Sequence, residues 1–185
     1  MAKIKFTYEK PRGDFIHYVN KEDVLVVLSR LPHEVWNMLK TVHFKAQSRY
    51  SFGHKVNIPT NTTRREITLF AFPPRLSLSQ LAISQKNSPR YFGATPGYQW
   101  PRLAVRRYQL YGALLHGIGL LQIINPDRKS SLLKTRRTKI EEFAAYWRGK
   151  LWSEKFDHPD PVHNPPDEKE ILDSLTEIEG YKKVT

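Results

Sequence analysis

Between Pro101 and Ile124 the chain carries Val105, Tyr108, Leu110, Tyr111, Leu114, Leu115, Ile118 and Leu121, at spacings that suit a helix but circle all of its sides. A surface helix confines its apolar residues to one stripe, so a helix apolar all round needs protein on every side. Pro101 suits the first helical position, where a missing N–H is no loss. Asn125-Pro126-Asp127 closes the segment. The chain is therefore expected to fold around a buried central helix. Its 185 residues supply one real hydrophobic core and are short for two.

The flanking segments read as the layers around that helix. Lys3 to Glu9 alternates polar residues with Ile4, Phe6 and Tyr8, the period-two pattern of a half-buried strand. Pro11, Gly13 and Asp14 mark a turn, and Phe15 to Val19 would return as the second arm of a hairpin. Asn20 is placed to cap a helix from about Glu22 that buries Val24, Leu25, Val27, Leu28 and Leu31. Pro32 separates it from a second helix with Val35, Trp36, Met38 and Leu39. Val42 to Pro59 turns polar and aromatic and ends in a candidate strand, Lys55 to Ile58; Asn61-Thr62-Thr63 is a turn. Arg64 to Phe72 is the best strand, with Ile67, Leu69 and Ala71 on one side, and it would pair as a hairpin before Pro73 and Pro74 stop it.

A short apolar segment, Leu76 to Ile83, leads into an ordered loop that Tyr91, Phe92, Tyr98 and Trp100 pin to the body. Beyond the central helix a basic connector precedes a helix over Thr138 to Trp152, which buries Ile140, Phe143, Ala144, Trp147 and Leu151. Phe156 to Pro166 is too rich in proline to be helical and is expected to lie extended on the surface, ahead of a short helix from Asp167 or Glu168 to Ile178. The expected fold is α+β: a small antiparallel sheet packed on helices over residues 1–155, followed by a proline-rich surface tail over 156–185.

Within the central helix, Leu114-Leu115-His116-Gly117-Ile118-Gly119-Leu120-Leu121-Gln122 has the outline of a metal-binding segment. It resembles the LLHELGHLQ-type segment of small bacterial zincin-like metallopeptidases. Glu141-Glu142-Phe143-Ala144 resembles the acidic segment on the helix that follows in such proteins. The resemblance implies a zincin-like fold over residues 1–155, with motif support from about thirty of them. In the HExxH arrangement two histidines one turn apart bind zinc and the glutamate between them handles the proton of the attacking water. His116 matches the first ligand, Gly117 the glutamate, Leu120 the second histidine, and Gly119 the small residue before it. Glu141 or Glu142 would be the remnant of the third ligand, although alignment on Phe143-Ala144 brings Lys139 to that position.

One imidazole and one carboxylate are a weak substitute for three zinc ligands, and glycine offers no proton acceptor. The resemblance therefore implies a degenerate metallopeptidase without catalytic residues, bound metal or cofactor. His158, His163, Asp157 and Asp160 are ligand types, but their spacing matches no common zinc signature. No glycine-rich phosphate loop or serine elbow is present. Cysteine is absent, which removes disulfides, thiol catalysis and cysteine-bound zinc.

Thirty Lys and Arg against eighteen Asp and Glu give a formal charge of +12, a balance that favours polyanionic partners. Arg102, Arg106 and Arg107 open the central helix; Arg128, Lys129, Lys134, Arg136, Arg137 and Lys139 fill the connector. Lys45, Arg49, Lys55, Arg64 and Arg65 interleave with His43, Phe44, Tyr50, Phe52 and His54, a mixture that can hold phosphates while stacking on bases. The expected function is noncatalytic binding of RNA or a nucleoprotein assembly through this basic surface. The alternatives are a protein-interaction or inhibitory module that grips its partner with the former cleft and the tail, and a residual metal-dependent hydrolase. The residues before Lys10 lack the apolar core of a secretory signal, and no apolar run of eighteen occurs; the expectation is a cytoplasmic protein that does not enter a membrane.

Overall fold

A computed structural model describes residues 4–46, 60–74, 92–93, 101–123 and 133–167, excluding the side chains of 133–136. Strand β1 (Lys5–Tyr8) leads to helices α1 (Lys21–Arg30) and α2 (His33–Trp36), then to strands β2 (Thr41–Lys45), β3 (Thr60–Asn61) and β4 (Glu66–Phe70). One continuous helix follows, composed of α3 (Arg102–Arg107), a π-helical stretch (Tyr108–Leu114) and α4 (Leu115–Ile123). Helix α5 (Leu133–Ser153) and a single 3-10 turn (Pro161–His163) complete the order.

The architecture is α+β, as expected, but the sheet is not the antiparallel one. Its order is β1-β2-β4-β3, with β1, β2 and β4 parallel and only the two-residue β3 antiparallel to β4. The N-terminal hairpin does not form: Ile16 makes only an isolated antiparallel bridge to Phe72, and β1 pairs with β2. Parallel neighbours need a crossover, and α1 with α2 supplies it. The central strand β2 was hidden by polar neighbours. Its Val42 and Phe44 nevertheless alternate with Thr41, His43 and Lys45, and both are fully buried.

Alternation gives the sheet two unlike faces. Phe6, Tyr8, Val42, Phe44, Ile67 and Leu69 share the apolar face. Lys5, Thr7, Thr41, His43, Glu66 and Thr68 share the other, where Thr7 Oγ1 and His43 Nδ1 share a hydrogen bond of 2.6 Å and His43 Nε2 stands 3.5 Å from Glu66 Oε2. The central helix packs on the apolar face and is buried along most of its length. In the π-helical stretch all seven residues are buried. Such wide turns are rare and persist where tertiary contacts hold them. A Cβ at Gly112 would stand 3.0 Å from Phe92 Cζ, so the stretch admits the Phe92 ring against its backbone. Phe92 is itself fully buried, the pinning role expected of it.

Helix α1 begins where its cap predicts. Asn20 Oδ1 accepts from the Asp23 N–H at 2.9 Å, and Asp23 Oδ2 accepts from the Asn20 N–H at 2.9 Å. This reciprocal box satisfies two donors that a helix start would otherwise leave open. Asn20→Ala is expected to lower unfolding stability by about 1 kcal/mol, read as a lower urea midpoint with an unchanged slope. Leu25, expected in the core, is exposed, because the buried stripe runs through Val24, Val27 and Leu28. The second helix is a single turn, and α5 starts at Leu133, so Lys134, Arg136 and Arg137 lie on its first turns rather than in a connector.

The largest difference concerns the segment after α5. Within residues 156–167, Asp157, Pro159, Pro161, Pro165 and Asp167 are exposed, but Val162 and His163 are buried and Val162 belongs to the hydrophobic core, so the segment is anchored rather than merely laid on the surface. Asp160 Oδ1 accepts from the Val162 N–H at 3.0 Å and caps the 3-10 turn. The helix expected over 167–178 and the strand expected over 55–58 lie outside the described residues, as do residues 76–83 and the other ring residues of the loop.

Candidate functional site

His116 sits on α4 facing α5, half-buried. Burial pushes its imidazole below the ordinary value of 6.5; the charge of Glu141 opposes that shift and the charge of Arg137 adds to it. Arg137 Nε donates to Glu141 Oε1 at 3.1 Å, one turn apart on α5. Of the two acids the motif left open, Glu141 is thus the one whose field reaches His116, while Glu142 is on the exposed side. Leu120 is half-buried one turn beyond His116.

The position matching the catalytic acid is closed by packing. A Cβ at Gly117 would stand 2.9 Å from Ile67 Cδ1 and 3.1 Å from Ile67 Cγ1, so glycine is what lets α4 rest on β4. A Cβ at Gly119 would stand 2.8 Å from Phe143 Cδ1, so glycine also admits α5. Among the described residues, no group of three or more His, Asp or Glu side chains is placed to hold a metal ion.

A second constellation, built of residues far apart in sequence, lies where the carboxyl end of the sheet meets α1, α3 and the 156–167 segment. Arg106 donates to Asp160 through both terminal nitrogens, at 3.0 Å and 2.6 Å, and to Asp23 Oδ1 at 3.1 Å. His163 Nε2 stands 3.6 Å from the same Asp23 oxygen, and Tyr111 Oη lies 3.0 Å from His163 Nδ1. The His158 ring meets the His163 ring edge-on at 4.5 Å between centroids, and Asn164 ties the turn by accepting from the His158 N–H and donating to the His158 carbonyl. Burial raises the Tyr111 hydroxyl to about 12, which keeps it protonated. The arrangement joins Asp157-to-Asn164 to the body by charge and hydrogen bonding. It leaves His163 and Asp160, read earlier as metal-ligand types, each with a protein partner.

These groups carry a pH dependence. Burial alone would raise Asp23, but the contact with His163, the Asn20 N–H and the Arg106 charge hold it below 3.8; Asp160 is lowered chiefly by its hydrogen bond from Arg106. For His116 the depressed value means that the neutral ring is the form that fits. All three have folded values below their unfolded ones, so their contribution is complete above the unfolded values and is lost as the pH falls through the folded ones. Stability measured by urea unfolding is expected to fall below pH 6.5 as His116 is protonated, and again below 3.8 as the two aspartates are. His116→Gln should remove the first decline and leave the second.

Among the described residues, the arginines at the start of the central helix do not share a face with Arg137 and Lys139. Arg102 is exposed. Arg106 turns to Asp23 and Asp160; Arg107 is 1% exposed and donates to the carbonyls of Asn164 and Pro161, both at 3.0 Å. These two arginines hold the C-terminal segment, a correction to their expected place on an anion-binding surface. Arg137 and Lys139 are exposed on α5, at the other end of the central helix, about 20 Å away by helical rise. Lys134 and Arg136 are helical with their side chains outside the description, and Arg128 and Lys129 lie outside the described residues.

Sequence reasoning missed Asp23, which it passed over inside a helix start, and Tyr111, which it counted as apolar. The signal was there in Arg106-Arg107, two cations in an otherwise apolar helix, which cannot be buried without acceptors. Asp160 and the backbone of a proline-rich segment are such acceptors. Compared with protein-family profiles, characterised proteins and solved structures, the chain matches none.

Proposed function

We propose that this chain is a noncatalytic protein with a degenerate zincin-like centre that binds RNA or a nucleoprotein assembly through its basic surface. The observation that carries the reading is the pairing of a catalytic position closed by Ile67 against Gly117 with exposed cations, Arg137 and Lys139, on the adjoining helix. Position 117 supplies no side chain to move a proton, whereas the surface supplies charge. The zincin-like part rests on His116 and Glu141 lying on consecutive packed helices within mutual electrostatic reach. A grip by the 156–167 segment on another protein is less favoured, because that segment's buried residues are engaged by Arg107 and Tyr111. Among the described residues no helix is long and apolar enough to cross a membrane.

The test is fluorescence anisotropy with a labelled single-stranded RNA of mixed sequence. Affinity should fall steeply as salt rises, because each phosphate contact releases counterions. An affinity insensitive to salt, or no binding at low salt, refutes the reading. Neutralising Lys134, Arg136 and Arg137 together should weaken binding if the start of α5 takes part.

A further inference from the structure

A basic surface that the sequence scattered over sixty positions is assembled at the amino end of the parallel sheet. The Lys5 N–H donates to the Lys40 carbonyl at 2.9 Å, and the Lys40 N–H donates to the Arg65 carbonyl at 2.9 Å. Lys5 opens β1, whereas Lys40 and Arg65 stand one residue before β2 and β4, and Arg64 precedes Arg65; in register, Lys5 lies level with Thr41 and Glu66. Adjacent strands are about 4.8 Å apart, so these backbone positions are clustered within about two strand spacings at one end of the sheet. Lys5, Lys40 and Arg64 are exposed and Arg65 is half-buried. The turn that presents the last two is fixed: the Arg64 N–H donates to Asn61 Oδ1 at 2.9 Å, and Arg65 takes a left-handed φ of 61°, uncommon for a side-chain-bearing residue.

Two of the neighbouring acids are engaged: Glu66 faces His43, and Glu141 pairs with Arg137. Glu34 on α2 and Glu142 on α5 are exposed acids of the same end, set against the four cations Lys5, Lys40, Arg64 and Arg65. Gln122, in the last turn of α4, donates to the carbonyls of Glu34 at 2.9 Å and Val35 at 2.8 Å, which brings the end of α4 to the same end of the molecule. Gly119 in turn receives Phe143 and Ile140, so the first half of α5 follows. The cations of the strand edge and those of α5, Arg137 and Lys139, thus belong to one pole. The opposite pole holds Asp23, Asp157 and Asp160.

We propose that the amino-terminal edge of the sheet, Lys5, Lys40, Arg64 and Arg65, is the principal phosphate-contacting surface for RNA, continued by the start of α5; this rests on the RNA-binding reading above. The chemistry at this pole favours a phosphate chain over other anionic partners. The exposed large hydrophobic residues among those described, Tyr8, Leu25 and Tyr146, lie elsewhere: Tyr8 at the far end of β1, Leu25 midway along α1, Tyr146 beyond the first turns of α5. A membrane surface is held by apolar side chains as well as charge, and a protein interface by buried aromatic anchors. The pole offers a cluster of cations at adjoining strand starts, which suits backbone contacts without base readout.

The experiment compares the full chain with two triple variants of equal charge change, Lys5→Gln/Lys40→Gln/Arg64→Gln at the proposed edge and Lys10→Gln/Arg12→Gln/Lys21→Gln at the opposite end. The probe is the same labelled RNA across a salt series, with thermal melts to show that each variant is folded. Single-strand contacts contribute about 0.7 each to the slope of log affinity against log salt, so the edge variant should lose about 2 from the slope and bind at least about tenfold more weakly at low salt. The opposite-end variant should keep the slope. Equal losses in both variants would mean that net charge alone drives binding, and a larger loss in the opposite-end variant would place the contacts there; either overturns the assignment while leaving RNA binding intact. Absence of RNA binding by the unaltered chain defeats the underlying reading as well. Tighter binding to phosphatidylserine vesicles than to RNA, abolished in the edge variant, would reassign the surface to membranes.

Discussion

Gly117→Glu, the substitution that writes the missing acid back into the motif, is expected to destabilise the fold by more than about 3 kcal/mol and to generate no peptidase activity. Overpacking a core costs about 1–3 kcal/mol, and a carboxylate buried without a partner adds a penalty of similar or larger size. Both apply here, because the first added carbon already meets three atoms of Ile67 within 3.2 Å. The added side chain would point at the apolar face of β4, away from the side on which His116 and Glu141 lie. Gly117→Ala separates the two costs, since it adds the carbon without the charge, and it should fall between wild type and the glutamate variant in urea unfolding. A Gly117→Glu protein that unfolds at the wild-type midpoint would show that the helix can move off the strand. If it also hydrolysed peptide, the noncatalytic reading would fail.

Arg107→Met should cost about 2–5 kcal/mol and release the C-terminal segment. Methionine keeps much of the length and the apolar stem but donates nothing, so the Asn164 carbonyl loses the Arg107 donor and the Pro161 carbonyl is left with its bond from the Asn164 N–H; a buried polar group left unpaired costs about 1–3 kcal/mol. Gly93 bears on the same place. It has a φ of +81°, and a Cβ there would stand 3.3 Å from both Arg107 Nη1 and Pro166 Cβ, so the guanidinium is enclosed by the segment and by the loop that carries Phe92. Limited proteolysis is the specific readout: cleavage within 156–167 should become fast in the variant before the remaining fold is lost. An unchanged cleavage rate would mean that Val162 packing and the Arg106 and Tyr111 contacts retain the segment without Arg107. Arg102→Met, which alters an exposed side chain of the same helix, should leave both stability and cleavage near wild type.

The candidate site was legible in the sequence only where chemistry depends on a single position. That Gly117 and Leu120 offer neither a proton acceptor nor a metal ligand could be read without knowing any contact. The choice between Glu141 and Glu142 could not, because adjacent residues on a helix point about 100° apart and only the packing of α5 on α4 decides which one faces His116. The Arg106 and Arg107 assignments failed for a related reason. Their partners Asp160 and the Pro161 carbonyl lie more than fifty positions away, and charge in a helix looks the same in sequence whether it meets solvent or a folded-back segment.

By itself the sequence determined the start of α1, the burial of the central helix and strand β4, because a capping box, an all-round apolar pattern and period-two alternation act within a few residues. It also determined that no thiol and no acid at position 117 takes part in any chemistry. Tertiary structure decided the rest. It chose parallel pairing over the local hairpin, since β1 can set Phe6 beside Val42 and stack Tyr8 on Phe44 only with α1 as a crossover. It anchored residues 156–167 to the body through buried Val162 and His163, and there Arg107 and Arg106 found acceptors. It also turned the closed centre and the basic strand edge into opposite aspects of one packing solution: the glycines let α4 approach β4 and α5, and that approach sets the cations of α5 at the end where Lys5, Lys40 and Arg65 cluster at the starts of the parallel strands.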